Sequence, residues 1–266
     1  MEAGGEPLGA AFFDLDKTLM EGSSAFQFGR AAYQAGLMSR RQLARDVWAN
    51  IHFRLAGTTD EKSDALRERV LDALTGSRVK DLERLGPNVL AGILPRVYPQ
   101  MLAVAYEHQD AGRPVFIVTA ASQELAEMLA HVLHFDGGIG TRSEIRDGVY
   151  TGRPDGPFVY REGKPEAIRQ LAAERGIDLA ASYAYSDSES DLPMMRAVGH
   201  PVAVNPDGPL EATARAEGWQ IMRFDKLGRR LRIAAAISTV AVLGGGGGYL
   251  AARVRPRPRR FRLPLR

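Results

Sequence analysis

Four apolar residues, Ala10-Ala11-Phe12-Phe13, run directly into Asp14-Leu15-Asp16-Lys17-Thr18. A run this short and this apolar suits a strand covered on both faces, as in a parallel sheet packed between helices. The acidic residues that follow cannot share that burial. The chain must therefore leave the sheet here, presenting two carboxylates and a hydroxyl where the strand ends in a loop. A carboxylate is ionised at neutral pH and can attack phosphorus without first giving up a proton, so Asp14 is the candidate nucleophile, forming an aspartyl-phosphate. Asp16, two residues on, can turn toward the leaving-group oxygen as general acid and then serve as base for water. Two acids facing an anionic phosphate would repel it, so the arrangement calls for a bound hard cation, magnesium above all. Taken alone, the five residues are also compatible with an ordinary turn rich in Asp and Thr.

Three later stretches favour the chemical reading. Val115 to Val118 is a second short apolar run, ending in Thr119-Ala120-Ala121-Ser122 ahead of a helical pattern, and Thr119 can hydrogen-bond a phosphate oxygen. Lys164, in Glu162-Gly163-Lys164-Pro165, opens another helix, where a cation can neutralise charge on a transferring phosphoryl group. Ala184-Tyr185-Ser186-Asp187-Ser188-Glu189-Ser190-Asp191 brings a second acidic cluster after a strand-like segment, with Asp187 placed to complete a metal site.

In this order D-x-D-x-T, a hydroxyl after a strand, Lys and D-x-x-x-D, the chain resembles the haloacid dehalogenase-like (HAD) superfamily over residues 8 to 225. The likeness is to subfamily IB, whose best-known relatives are phosphoserine phosphatases. The resemblance implies that Asp14 is nucleophile and metal ligand, and that Asp16 is acid/base and a metal ligand through its carbonyl. It implies that Thr119, Ala120, Lys164 and Ser190 hold substrate or phosphate. Asp187 matches the family's metal carboxylate, and Asp191 matches the acid supporting the metal shell. Three departures bear on the substrate: Ser23 stands where phosphoserine phosphatases place a Glu for the serine amino group, with Glu21 two positions early. Thr119-Ala120 replaces the usual Ser-Gly, and Ser190 replaces a frequent Asn.

The expected architecture is α/β, a parallel sheet with helices on both faces and an inserted helical cap. Residues 8–19 and 96–225 form the expected core and 20–95 the cap, with helices over Ala25–Leu37, Gln42–Leu55, Lys62–Leu74 and Val79–Leu90. Gly36, Gly57, Gly76 and Gly86 punctuate the cap. Trp48, His52, Phe53, Arg54, Arg67 and Arg69 are candidate pocket residues there. Beyond Ser122 the pattern predicts a helix to Leu133, a strand over Ile139–Arg142, a hairpin from Glu144 to Thr151, a helix over Pro165–Arg175, and strands over Ala181–Tyr185, Pro201–Val204 and Gln220–Arg223. Gly137-Gly138-Ile139-Gly140 lacks a dinucleotide-binding fingerprint and reads as a turn, as does Asn205-Pro206-Asp207.

Charge is distributed unevenly. The chain carries a net +3, but residues 223–266 hold twelve Arg or Lys against one Asp, leaving −8 on the first 222 residues. An acidic body argues against a specific grip on nucleic acid. Within the basic tail, 229–266, the twenty residues Ile233 to Ala252 carry no charge, long enough to cross a bilayer, yet rich in Gly and flanked by Arg on both sides. The expectation is association with an anionic membrane surface through this tail, by re-entry or by surface docking. The absence of Cys and the acidic, leader-unlike first ten residues fit a cytoplasmic catalytic domain. The partner expected at the site is a small phosphorylated metabolite, phosphoserine first. The competing class is a catalytically silent scaffold of the same fold, recruited to membrane by its tail.

Overall fold

A computed structural model describes residues 8–36 and 75–224. The elements run β1 (Ala11–Asp14), α1 (Ser24–Gln34), α2 (Val79–Ile93), α3 (Pro99–Asp110), β2 (Val115–Ser122), α4 (Gln123–Val132) and β3 (Gly137–Thr141). They continue with β4 (Ser143–Arg146), β5 (Val149–Pro154), α5 (Gly163–Arg175), β6 (Tyr183–Ser186), α6 (Leu192–Met195), β7 (His200–Val204), α7 (Gly208–Ala216) and β8 (Gln220–Met222). Six strands form one sheet in the order β3-β2-β1-β6-β7-β8, every pairing parallel, while β4 and β5 form a separate antiparallel hairpin. Strand β1 lies between β2 and β6, where the connections diverge to either side, and a crevice opens at the carboxyl ends of strands at such a switch point.

Both faces of the sheet are buried, as the apolar entry to Asp14 requires. Phe12 stacks on Phe116 at 5.7 Å and joins a core with Val118, Ile168 of α5, Met194 and Met195 of α6, and Leu210 of α7. Phe13 faces the other way, stacking on Tyr185 at 4.4 Å and meeting His108 of α3 and Phe135. Each fully buried Phe contributes roughly 1.5–3 kcal/mol. Alternate residues of one strand thus fasten opposite helical layers and fix where β1 ends.

The hairpin and the strands after Ser122 lie within a few residues of their expected positions. Three helices, α3, the four-residue α6 and α7, had no counterpart in the sequence reading. In α3 the apolar residues Met101 to Tyr106 are nearly continuous, so no polar face marks the helix. Helix α7 is short and begins at Gly208-Pro209, beyond the residues read as a turn. The 205–207 segment leads into this helix, and Asp207 caps it, its Oδ1 accepting the Leu210 N–H at 2.9 Å.

Two glycine readings are corrected. Gly137 to Gly140 is strand, because α4 lies against it: a Cβ at Gly138 would sit 2.3 Å from the Ala126 backbone. Gly86 lies inside α2, where a Cβ would come within 2.7 Å of Met128 Sδ, so the missing side chain serves close helix packing. Of the segment expected to form a cap, α1 and α2 are described; the helices expected over Gln42–Leu55 and Lys62–Leu74, with the six candidate pocket residues, fall outside the described residues. Arg223–Arg266 forms a unit separate from Met1–Met222. No helix among the described residues is long and apolar enough to cross a membrane, and Ile233 to Ala252 is not among them.

Candidate active site

The loop after β1 doubles back at once. The Leu19 N–H donates to the carbonyls of Asp14 and Leu15, and the Met20 N–H to Leu15, so Asp14 to Thr18 wrap over the strand end. Asp14 is buried there. Lys164, from the first turn of α5, donates to Asp14 Oδ1 at 2.6 Å and to Asp191 Oδ2 at 2.8 Å. Asp191 Oδ2 also accepts the Ser186 hydroxyl at 2.7 Å. One ammonium therefore holds two carboxylates from distant parts of the chain in a buried cluster.

Asp187 completes the group. Its Oδ1 accepts the buried Thr18 hydroxyl at 3.4 Å, and Lys17 Nζ lies 3.8 Å from its Oδ2. Burial, with the nearby Asp14 charge adding to it, pushes the Asp187 carboxyl up to about 8. Burial likewise raises Asp14 to about 7, against the opposing pull of Lys164. Burial would lower the Lys164 ammonium, but Asp14 and Asp191 outweigh it and hold it above its ordinary value. The cluster contains more buried negative charge than Lys164 and the half-exposed Lys17 can offset.

The remaining expected residues are distributed as follows. Asp16 Oδ1 accepts the Ser24 N–H at 2.7 Å, so this carboxylate sits at the first residue of α1. Thr119 is buried on β2, its hydroxyl accepting the Ala121 N–H at 3.2 Å, where the register with β3 shifts. Ala120 gives its carbonyl to the Thr141 hydroxyl at 3.0 Å. The Ser190 hydroxyl donates to Ser188 Oγ at 3.1 Å. Asp207 anchors the acidic loop, accepting from the Glu189 N–H at 3.1 Å and donating its own N–H to the Asp187 carbonyl.

Asp14, Asp16, Asp187 and Asp191 do not assemble as four carboxylate ligands. Among the described residues no three acidic or histidine side chains form a ready metal cluster. The reason is visible in three hydrogen bonds: Asp16 is committed to the start of α1, and Asp191 to Lys164 and Ser186. A hard divalent cation nevertheless fits between Asp14 and Asp187, whose oxygens are the donors it prefers and whose mutual repulsion it would relieve. Sequence reasoning missed Ser186, whose hydroxyl positions Asp191, because a lone Ser at a strand end carries no pattern.

A family model described as haloacid dehalogenase-like hydrolase matches residues 11–196. The chain belongs to that family. This HAD-like hydrolase is 37% identical to phosphoserine phosphatase SerB1 of Mycobacterium tuberculosis, over 91% of this chain and 79% of that protein. It is 31% identical to a histidinol-phosphatase of Neisseria meningitidis, over 80% and 98% respectively. A crystal structure of a Bordetella pertussis protein of unknown function superposes with a TM-score of 0.72 at 30% identity, covering 81% of this chain and 98% of that one. In the HAD-like hydrolase a groove of about 580 Å³ also opens at the other end of the strands, beside Tyr183, His200 and Trp219, remote from Asp14.

Proposed function

We propose that the HAD-like hydrolase is a magnesium-dependent phosphomonoester hydrolase that works through an aspartyl-phosphate on a small phosphorylated metabolite, phosphoserine foremost. The observation that carries this reading is the Lys164 ammonium shared between Asp14 and Asp191 with Asp187 alongside. The relatives named as phosphoserine and histidinol phosphatases support the substrate class.

Lys164 occupies Asp14 Oδ1, and no described residue bonds Oδ2, which leaves that oxygen to attack phosphorus in line with the leaving oxygen. The Oδ2–P bond forms as the ester P–O bond breaks, and Asp16 gives its proton to the departing oxygen. Asp16 then takes a proton from water, whose oxygen attacks the same phosphorus and releases inorganic phosphate with Asp14 regenerated. Thr119, from the bulged end of β2, and Lys164 bind the equatorial phosphate oxygens and balance charge there. Magnesium held by Asp14 and Asp187, with the Asp16 carbonyl, would offset the negative charge of the carboxylates and of the phosphate. Because Asp16 is anchored to the first residue of α1, the acid is set by the same helix that begins the cap, and closure of a cap would exclude water from the intermediate.

The test is turnover of a panel of phosphomonoesters with magnesium. Asp14→Asn should reduce kcat by at least about a thousandfold with the circular dichroism spectrum unchanged. Wild-type-like turnover in that variant would remove Asp14 as nucleophile.

A further inference from the structure

The loop that delivers Lys164 contains a second cation that the chemistry above does not use. Arg161 lies three residues upstream, and its carbonyl accepts the Lys164 N–H at 3.2 Å. Its backbone is left-handed, with φ of 48°. A long side chain rarely adopts that conformation, and such strain persists where the surroundings impose it, most often at ligand clamps and active sites. Its Nη1 is buried yet has no hydrogen-bond partner among the described residues. A guanidinium nitrogen removed from water without an acceptor is costly, and the cost is recovered when an acceptor arrives.

The surroundings indicate where that acceptor would come from. The preceding residue, Tyr160, is pushed above its ordinary value by burial, against a hydrogen bond from Ser190 and the Arg161 charge, with Asp191 and Lys164 also within reach. Arg161 therefore belongs to the loop that borders this cluster, where two of the three Lys164 N–H donors are already taken by Asp14 and Asp191. The loop is tightly folded: the Tyr160 N–H donates to Phe158, the Gly163 N–H to Tyr160, and a Cβ at Gly163 would lie 1.8 Å from the Phe158 carbonyl oxygen. The backbone from which the guanidinium extends is thus held by the same turn that sets the ammonium.

We infer that Arg161 is a specificity residue, recognising a carboxylate on the leaving group of the substrate. A planar guanidinium pairs with a planar carboxylate through two parallel N–H···O bonds, a match that an ammonium cannot give. This rests on the phosphomonoesterase reading but makes a separate claim about the leaving group.

Phosphoserine and phosphoethanolamine differ only by a carboxylate, so the ratio of their kcat/KM values reads this contact. The wild type should prefer phosphoserine. Arg161→Asn, which suits a left-handed backbone, should cut the ratio at least tenfold, chiefly through KM, and Arg161→Lys should restore only part of it. An unchanged ratio, or equal loss on both substrates, would overturn the assignment, the latter placing Arg161 on the phosphate itself. The same comparison by calorimetric affinity in an Asp14→Asn background does not depend on turnover. An affinity ratio insensitive to Arg161 there overturns the inference, whereas a wild type that discriminates the two ligands through Arg161 but hydrolyses neither would overturn the phosphatase reading alone.

Discussion

Lys164 reaches across 150 residues of sequence to place its Nζ 2.6 Å from Asp14 Oδ1, joining the first strand to the helix that follows the hairpin. The pair is buried, and among the described residues the ammonium is the one ion-pair partner shared by Asp14 and the second carboxylate, Asp191. Replacing it with Met keeps the length and removes the charge. Breaking a buried pair from one side costs about 3–5 kcal/mol, because the remaining carboxylates stay desolvated. Lys164→Met should therefore lower stability toward urea by about that amount at pH 8 and reduce kcat by roughly a hundredfold or more. A variant as stable as the wild type would show that water reaches the cluster and that burial is not what governs it.

Magnesium affinity should rise steeply with pH. Asp14 and Asp187 are raised to about 7 and about 8, so below those values the folded protein holds protons that the unfolded chain has released. The sign follows: without the ion, these two groups make the protein less stable as pH climbs from about 4 toward 8, and a divalent cation reverses that loss. Calorimetry between pH 6 and 8.5 should show tighter magnesium binding at the upper end and release of protons on binding at the lower. Affinity independent of pH across this range would mean that neither carboxylate is a ligand.

Gly163 is needed for a different reason from the turn glycines. A Cβ there would lie 1.8 Å from the Phe158 carbonyl oxygen, closer than any shift of a side chain could relieve. Gly163→Ala must move the backbone just before Lys164. A displacement of about 1 Å at a catalytic group can cost on the order of a hundredfold in rate. The expected result is a fall in kcat of at least tenfold with a modest change in melting temperature, and unaltered kcat would show that the helix start tolerates the shift.

The positions that carry charge were legible in the sequence because Asp14 and Asp187 each follow a short apolar run that only a strand end reconciles with an acid, Lys164 opens a helix, and the order of the set matches the family pattern. Asp14, Lys164, Asp187 and Asp191 could be placed in one cluster on that ground. Their division of labour could not: whether Asp191 faces a metal or an ammonium depends on a 2.8 Å contact between residues 27 positions apart. Asp16 likewise sits two residues from Asp14 in any reading, but its hydrogen bond to Ser24 comes from the path of the chain into α1, which leaves no pattern in the loop. Helix α3 was missed because Met101 to Tyr106 is an unbroken apolar run, exposed Ala103 and Tyr106 included, so its solvent face carries no polar stripe by which helices are recognised.

His108 gives the fold a pH dependence separate from the site. Arg113 Nε donates to its Nδ1 at 2.8 Å, so the ring proton resides on Nε2, which donates to the Tyr185 hydroxyl at 2.7 Å. Burial, reinforced by Arg113, lowers this imidazole to about 4. A depressed histidine is neutral in the fold and charged in the unfolded chain between about 4 and 6.5. Its contribution is therefore complete above pH 6.5 and is lost as pH falls through that window, by about 2 kcal/mol after allowance for solvent screening. The difference in urea stability between wild type and His108→Asn should shrink between pH 7.5 and 4.5. A difference constant with pH would indicate that the ring takes up its proton in the folded protein as readily as in the unfolded chain.

The tail supplies the last prediction. Strand β8, at the edge of the sheet, ends at Met222, and the basic tail is a separate unit. Ten Arg flank the uncharged run of Ile233 to Ala252, three between 229 and 232 and seven from Arg253 onward. Each basic residue near an anionic surface contributes about 1 kcal/mol of attraction, screened by salt over roughly 8 Å at physiological strength. The full chain should sediment with vesicles containing phosphatidylserine, and deletion of residues 229–266 should abolish this while leaving turnover of a soluble phosphomonoester within twofold. Raising the salt should release a surface-docked tail and leave an inserted one bound, because the apolar term does not depend on ionic strength. Equal sedimentation of the truncated protein would place the membrane contact elsewhere in the chain.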